Sequence, residues 1–309
     1  MKKYIHLGSL AVVLAALLWS VDGLLRTHLY SLPPATIVFW EHALGFAILV
    51  PFLLRSLGKF KELTRKQWLS ITGVALLSGA LGTILYTAAL GQVQYIPFSV
   101  VVLLQQLNPV FAITTAAILL HEKLNKRFVL LAGVALLGAY LTAFPSLTVN
   151  LSTGKGTIIA ALFAVGAAAC WGVGTAFSKY ALQGTSSLHV TAARFGLAPV
   201  FALIILLFSG KASTLGTMTG SQWKYLLAIT FSTGLVALII YYYGLQRVAA
   251  SRAAILELAW PLSSVIIGWL WLHQGLTLSQ AIGALLLTAT TFLITKDTRD
   301  RVATKPPRE

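Results

Sequence analysis

Charge is what this chain has least of. Only 10% of its 309 residues are Asp, Glu, Lys or Arg, and only 8 of those are acidic. A soluble domain with 57% hydrophobic residues could not hide that much apolar surface from water. Apolar stretches of about 20 residues recur from end to end, the length at which a helix crosses a bilayer. The chain therefore reads as an integral membrane protein. Ten-residue segments alternating polar and apolar are absent, which excludes an outer-membrane barrel. The single cysteine, Cys170, falls inside an apolar stretch and can form no internal disulfide. No His-Glu-x-x-His, Gly-x-Ser-x-Gly or paired-Asp pattern occurs, and no Gly-rich nucleotide loop, so an enzyme is disfavoured. Six histidines are present, with His121 and His273 in equivalent loops, but they do not cluster as metal ligands. Neither metal nor cofactor is expected.

What is present is a duplication. A shift of 152 residues lays Trp19 on Trp171, His42 on Arg194, Pro109 on Pro261 and His121 on His273. Ten spans are read: Ile5–Leu25, Pro33–Leu54, Trp68–Leu90, Pro97–Leu120, Phe128–Phe144, Thr157–Lys179, Leu188–Phe208, Tyr225–Gln246, Ser251–Leu272 and Ser279–Thr295. The fold class is thus all-α, integral to the membrane, with ten transmembrane helices in two five-helix repeats. Five is odd, so two copies joined in series enter the membrane in opposite directions. The repeats cover 5–144 and 157–295, joined by a Ser/Thr/Gly-rich linker at 145–156 and followed by a polar, disordered tail at 296–309. Inverted repeats are the pattern of secondary transporters, which hold substrate between the halves near the midplane.

The net charge of +15 would point to nucleic acid in a soluble protein. Its distribution argues otherwise. With the N-terminus inside, eighteen Lys and Arg fall in cytoplasmic segments. Only four (Arg26, Lys155, Lys211 and Lys224) fall outside, and Arg194 lies within a span. That is a positive-inside signal, with both termini cytoplasmic in a cell (inner or plasma) membrane. Membrane lipids are the expected contact of the basic face, and nucleic acid is not a partner. The opening apolar run is longer than a signal-peptide core and lacks a convincing cleavage site. Its counterpart around Trp171 is internal, so it reads as an uncleaved first span.

Small residues at Gly166, Cys170, Gly174 and Ser178 recur every four positions, a smooth stripe for helix packing. Ionisable groups inside spans each demand an account, because an unpaired charge there costs several kcal/mol. Glu41 and His42 lie about 13 Å into the second span, near the midplane. Arg194 is the repeat partner of His42, and an ion pair from a carboxylate of one repeat to Arg194 is expected to close the bundle. Gln105 and Glu257 each stand four residues before a proline, Pro109 or Pro261. A proline ring displaces the carbonyl four residues back, so each repeat is expected to offer a freed backbone acceptor beside a polar side chain. Asn108 and Trp260 adjoin these breaks. The expected substrate site is Glu257, Gln105 and Trp260, with His42, Arg194, Glu41 and Asn108 behind them. Asp22 is expected at the outer surface, Arg252 reaching the interface, and Glu122 as a solvated gate or capping residue.

These residues carry a resemblance. The pairs Trp19-Ser20 and Trp171-Gly172, Arg194-Phe195, and the run Tyr95-Ile96-Pro97-Phe98-Ser99, Asn108-Pro109 and His121-Glu122-Lys123-Leu124 resemble the EamA-type branch of the drug/metabolite transporter superfamily. The likeness covers roughly residues 5–295. It implies a helical inverted-repeat fold with a central cavity and alternating-access movement of small organic metabolites, often export of amino acids or toxic compounds. Two positions depart from the family pattern: His42-Ala43 stands where Arg-Phe is usual, and Gln274 where a Glu is common.

The functional expectation is a secondary transporter of amino acids or related polar or amphipathic metabolites, exporting them by alternating access. Protons are the candidate coupling ion, carried on Glu257 or Glu41, and uncoupled diffusion stays open because no Na⁺-site motif is evident. A lipid-linked headgroup flippase is the alternative within the class, and an intramembrane enzyme the alternative outside it. A self-contained monomer or weak dimer is expected.

Overall fold

The computed structural model describes residues 2–54, 56–92, 101, 104–143, 155–260, 263 and 277–296. Those residues form helices joined by turns, with no strand among them. Pro261, His273, Gln274, the run Tyr95–Ser99, the linker as far as 154 and the tail 297–309 lie outside the described residues.

Six helical segments are long and apolar enough to cross a membrane: His6–Leu29, Pro34–Leu53, Arg65–Leu90, Ile158–Ala181, Ser187–Phe208 and Gly220–Leu245. They coincide with the expected first, second, third, sixth, seventh and eighth spans. Asn108–Leu119 and Leu278–Ile294 are shorter apolar helices, and Lys126–Ala143 is a helix of 18 residues. The fourth stretch is not one continuous helix. Its chain turns at Gln106 and Leu107, and a new helix starts at Asn108 with Pro109 in its first turn. Proline there needs no N–H and its fixed φ suits helix entry, so Pro109 starts a helix instead of kinking one.

The third and eighth spans share a device that the sequence does not announce. Each opens with a capping box, Thr64 with Gln67 and Thr219 with Gln222, which satisfies two orphan amides at the helix start. Each then widens into a π-helical segment, Ala75–Leu81 in one and Thr230–Gly234 in the other. Such a widening shifts the hydrogen-bond ladder by one residue and leaves carbonyls open to other partners. The capping glutamines also reach across the chain's halves. Gln67 donates to the Gln183 carbonyl and Thr185 hydroxyl, both at 2.8 Å. Gln222 donates to Ser31 at 2.9 Å.

Packing follows the same crossed logic. Helix Lys2–Trp19 lies against Leu235–Leu245, as Lys155–Ala181 lies against Gly82–Leu90. Close approach rests on missing side chains: a methyl group at Gly174 would run into the Ser78 side chain, and one at Gly172 into the backbone of Asn108. The small stripe of the sixth span is therefore a packing face, as expected. Pro34–Leu53 and Ser187–Phe208 cross where Phe195 covers Gly45 and Phe46 covers Gly196. Lys126–Ala143 and Leu278–Lys296 pack chiefly on each other, through Gly138 and Gly283.

Candidate functional site

A cavity of about 190 Å³ opens between the helices. No residue of Lys126–Ala143 or Leu278–Lys296 lines it, which fits the absence of acidic and basic side chains from the apolar body of those two helices. All seven residues expected at the site, Glu257, Gln105, Trp260, His42, Arg194, Glu41 and Asn108, reach its wall.

The aromatic walls come in two matching pairs. Trp19 meets Tyr241 with ring centroids 5.1 Å apart and planes at 53°; Trp171 meets Tyr86 at 5.2 Å and 57°. In each pair the tryptophan comes from one half of the chain and the tyrosine from the other. Both indoles are anchored in the π-helical segments: Trp19 Nε1 donates to the Thr233 carbonyl at 2.9 Å, and Trp171 Nε1 to the Ser78 carbonyl at 3.2 Å. The carbonyls that the π turns release are thus taken by the opposite half, and the indole rings are held in place.

Polar groups divide into three clusters. In the first, Arg26 sits buried (3% exposed) between Asp22 and Glu41. Its Nε donates to Asp22 Oδ2 and its Nη2 to Glu41 Oε2 at 2.8 Å. Thr233 donates its hydroxyl to Asp22 Oδ1 at 2.6 Å. Two expectations fail here. Asp22 is not at the surface, because Arg26 one helical turn later draws it inward. Glu41 does not pair with Arg194, because Arg26 of its own half is already in reach. These are the ion pairs among the described residues.

In the second cluster, repeat partners His42 and Arg194 come together beside Gly79, where an added methyl would run into Ala198. His42 Nδ1 lies 3.0 Å from the Val38 carbonyl, and Arg194 Nη1 donates to the Tyr242 hydroxyl at 3.1 Å. The third cluster joins the halves at Glu257. Tyr241 donates its hydroxyl to Glu257 Oε1 at 2.6 Å, and Asn108 donates to Oε2 at 3.1 Å. The freed backbone acceptor expected at Glu257 is not there: the Trp260 amide donates to that carbonyl at 3.0 Å, closing a tight turn. Arg252 is buried (4% exposed) rather than snorkelled to the interface.

Several polar atoms on or beside the cavity have no partner among the described residues. Gln105 Nε2, Gln106 Nε2, Asn108 Oδ1 and Arg194 Nε are buried and unpaired. Each such group costs about 1–3 kcal/mol while unsatisfied, a cost that a polar ligand removes.

Away from the cavity, Glu122 does act as a cap, on another helix than its own. Its carboxylate accepts the amides of Ala250 and Ser251 at 2.7 and 3.0 Å and the Ser251 hydroxyl at 2.6 Å. His121, at φ 53°, supplies the left-handed turn before it. Lys179 matches this from the other side of the same loop, donating to the carbonyls of Leu245 and Gln246 at 2.8 and 3.0 Å.

Sequence reasoning missed Arg26 and Asp22 as site residues, and it did not separate Tyr86 and Tyr241, as cavity aromatics, from those of an interfacial belt. The i, i+4 spacing of Asp22 and Arg26 was a usable signal, and Tyr86 and Tyr241 become equivalent once the shift grows to 155 in the third span.

Comparison with known proteins now adds to this geometry. The model of the EamA-like transporter family matches residues 6–144 and again 158–296. A riboflavin transporter, ImpX, of Fusobacterium nucleatum is 31% identical, over 94% of this chain and 97% of its own. A pseudopaline exporter, CntI, of Pseudomonas aeruginosa is also 31% identical, over 52% of this chain and 55% of its own. A crystal structure 20% identical in sequence superposes with a TM-score of 0.73, over 94% of this chain and 96% of the other. At that identity the likeness speaks for the fold.

Proposed function

This chain belongs to the EamA-like transporter family, and from that membership we propose that it is a secondary transporter of a planar, hydrogen-bonding heterocycle of the flavin type. It is a membrane transporter, not an enzyme, and its cargo is a small molecule. The observation that carries the substrate reading is the cavity lining: Nε2 of Gln105 and Gln106 and Oδ1 of Asn108, buried and unpaired, in one cavity with two Trp–Tyr walls. A flavin presents carbonyl and ring-nitrogen acceptors and an N–H donor on its rim, and flat faces for stacking on aromatic rings. The similarity to a riboflavin transporter over nearly the whole chain supports the same reading. Pockets that enclose drug-sized ligands run to roughly 300–1,000 Å³. At about 190 Å³ this cavity takes a flavin only when the bundle opens, as alternating access requires. In this proposal ten helices form two inverted repeats, 5–144 and 157–295, with both termini cytoplasmic in the cell membrane.

A second reading is favoured by a different observation. Arg194 and Glu257 line one cavity with opposite charges, and neither has an ion-pair partner among the described residues. That arrangement suits a zwitterion such as an amino acid, exported with Glu257 as the proton carrier.

Counterflow in proteoliposomes separates the two. Labelled riboflavin should exchange saturably, with competition by unlabelled flavins and none by amino acids. Exchange of amino acids without flavin exchange would replace the first reading by the second.

A further inference from the structure

The two Trp–Tyr walls are related by the duplication. Beside the Trp19–Tyr241 wall stands Glu257, bound by the Tyr241 hydroxyl. The Asp22–Arg26–Glu41 cluster reaches both walls: Asp22 accepts from Thr233, whose carbonyl anchors Trp19, Arg26 donates to Thr87, next to Tyr86, and Glu41 Oε1 lies against Gly234. The positions equivalent to Asp22, Arg26 and Glu41 in the second half are Gly174, Ser178 and Ala193. One cavity therefore holds two aromatic surfaces of the same build, one of them with a carboxylate bound by its tyrosine hydroxyl.

In an inverted repeat, the outward-open and inward-open states exchange the roles of the two halves. A wall made of Trp from one half and Tyr from the other then has a counterpart that does its work in the opposite state. We propose that Trp19–Tyr241 and Trp171–Tyr86 are two equivalent stacking positions for one substrate, which is received on one and released from the other. This rests on the flavin-type reading given above.

At Trp19–Tyr241, Asn108 and Glu257 meet the rim of the ring system. Glu41, on the lining of the same cavity, offers Oε1 as an acceptor for a hydrogen-bond donor such as a ring N–H or a hydroxyl. Both tryptophans are positioned by the π-turn carbonyls of Thr233 and Ser78, so their ring planes are set before substrate arrives.

The test uses full-length protein in right-side-out and inverted membrane vesicles, with labelled riboflavin as the probe. Trp19→Leu should raise the half-saturating concentration roughly threefold to tenfold on one face, the range of a lost stacking contact. It should leave the other face within about twofold. Trp171→Leu should do the reverse. Trp19→Phe and Trp171→Phe retain a ring without the indole N–H and should raise the half-saturating concentration less than the Leu variants do, on the same face. Tyr86→Leu should reproduce the face preference of Trp171→Leu, which keeps the test valid if a tryptophan variant does not fold. Equal effects of both tryptophan variants on both faces mean one shared site and overturn the proposal while leaving the flavin reading intact. No effect of either variant also overturns it. Absence of riboflavin exchange by the wild-type protein removes the flavin reading, and this proposal with it.

Discussion

Tyr241 donates its hydroxyl to Glu257 Oε1 across 2.6 Å, and this bond ties the eighth-span helix to the turn that follows helix Ala250–Leu256. With Asn108 on its other oxygen, Glu257 joins three segments at the cavity wall. It has hydrogen bonds in plenty but no cation to match its charge among the described residues.

Glu257→Gln keeps the shape and the acceptor for Tyr241 while removing the charge. Transport driven by a pH gradient should be abolished or its pH profile displaced, with expression and thermal unfolding close to wild type. An unchanged pH profile in reconstituted vesicles reduces Glu257 to a structural role and moves the proton to Glu41.

Arg26→Met removes the ion-pair partner that Asp22 and Glu41 share and leaves two buried carboxylates without a cation among the described residues. Breaking a buried pair from one side costs about 3–5 kcal/mol, so thermal unfolding in detergent should fall steeply. The triple variant Asp22→Asn, Arg26→Met, Glu41→Gln should recover much of that loss. No recovery would mean that the residues act separately.

Gly174→Val places a branched side chain where the Ser78 side chain already sits. Overpacking of this kind costs about 1–3 kcal/mol, and the yield of folded monodisperse protein should drop. Gly184→Ala is the contrast: nothing lies within 4 Å of the added group, but the backbone stands at φ 68°. It should cost only the backbone strain, on the order of 1 kcal/mol.

Single cysteines at Lys61 and Lys211 test the proposed topology, in a background where Cys170 is replaced by Ala. A membrane-impermeant maleimide should reach Lys211→Cys in intact cells and Lys61→Cys only after lysis. Labelling of both from one side would refute it.

The long apolar helices were legible in the sequence because apolar length depends on the medium, not on details of packing. The seven expected site residues reached one cavity because polar groups in lipid have few other places to go. What failed was the pairing. Whether Glu41 meets Arg26 or Arg194 depends on which helix is its neighbour, and no periodicity encodes that. The carbonyl of Glu257 was expected free because its turn was read as a kinked helix; a three-residue bond to Trp260 closes it instead. The π segments left no trace in composition, since a one-residue widening needs only a slack stretch such as Leu77-Ser78-Gly79-Ala80.

The crossed indole bonds bear on how such a chain could have arisen. Trp19 needs Thr233, and Trp171 needs Ser78; a half expressed alone would carry a donor and an acceptor that hydrocarbon cannot satisfy. Two identical halves lying head to foot would meet both requirements at once. Gene fusion then adds no new contact and only fixes the stoichiometry. After it, each copy is free to drift, so that Asp22, Arg26 and Glu41 stand in one half where Gly174, Ser178 and Ala193 stand in the other.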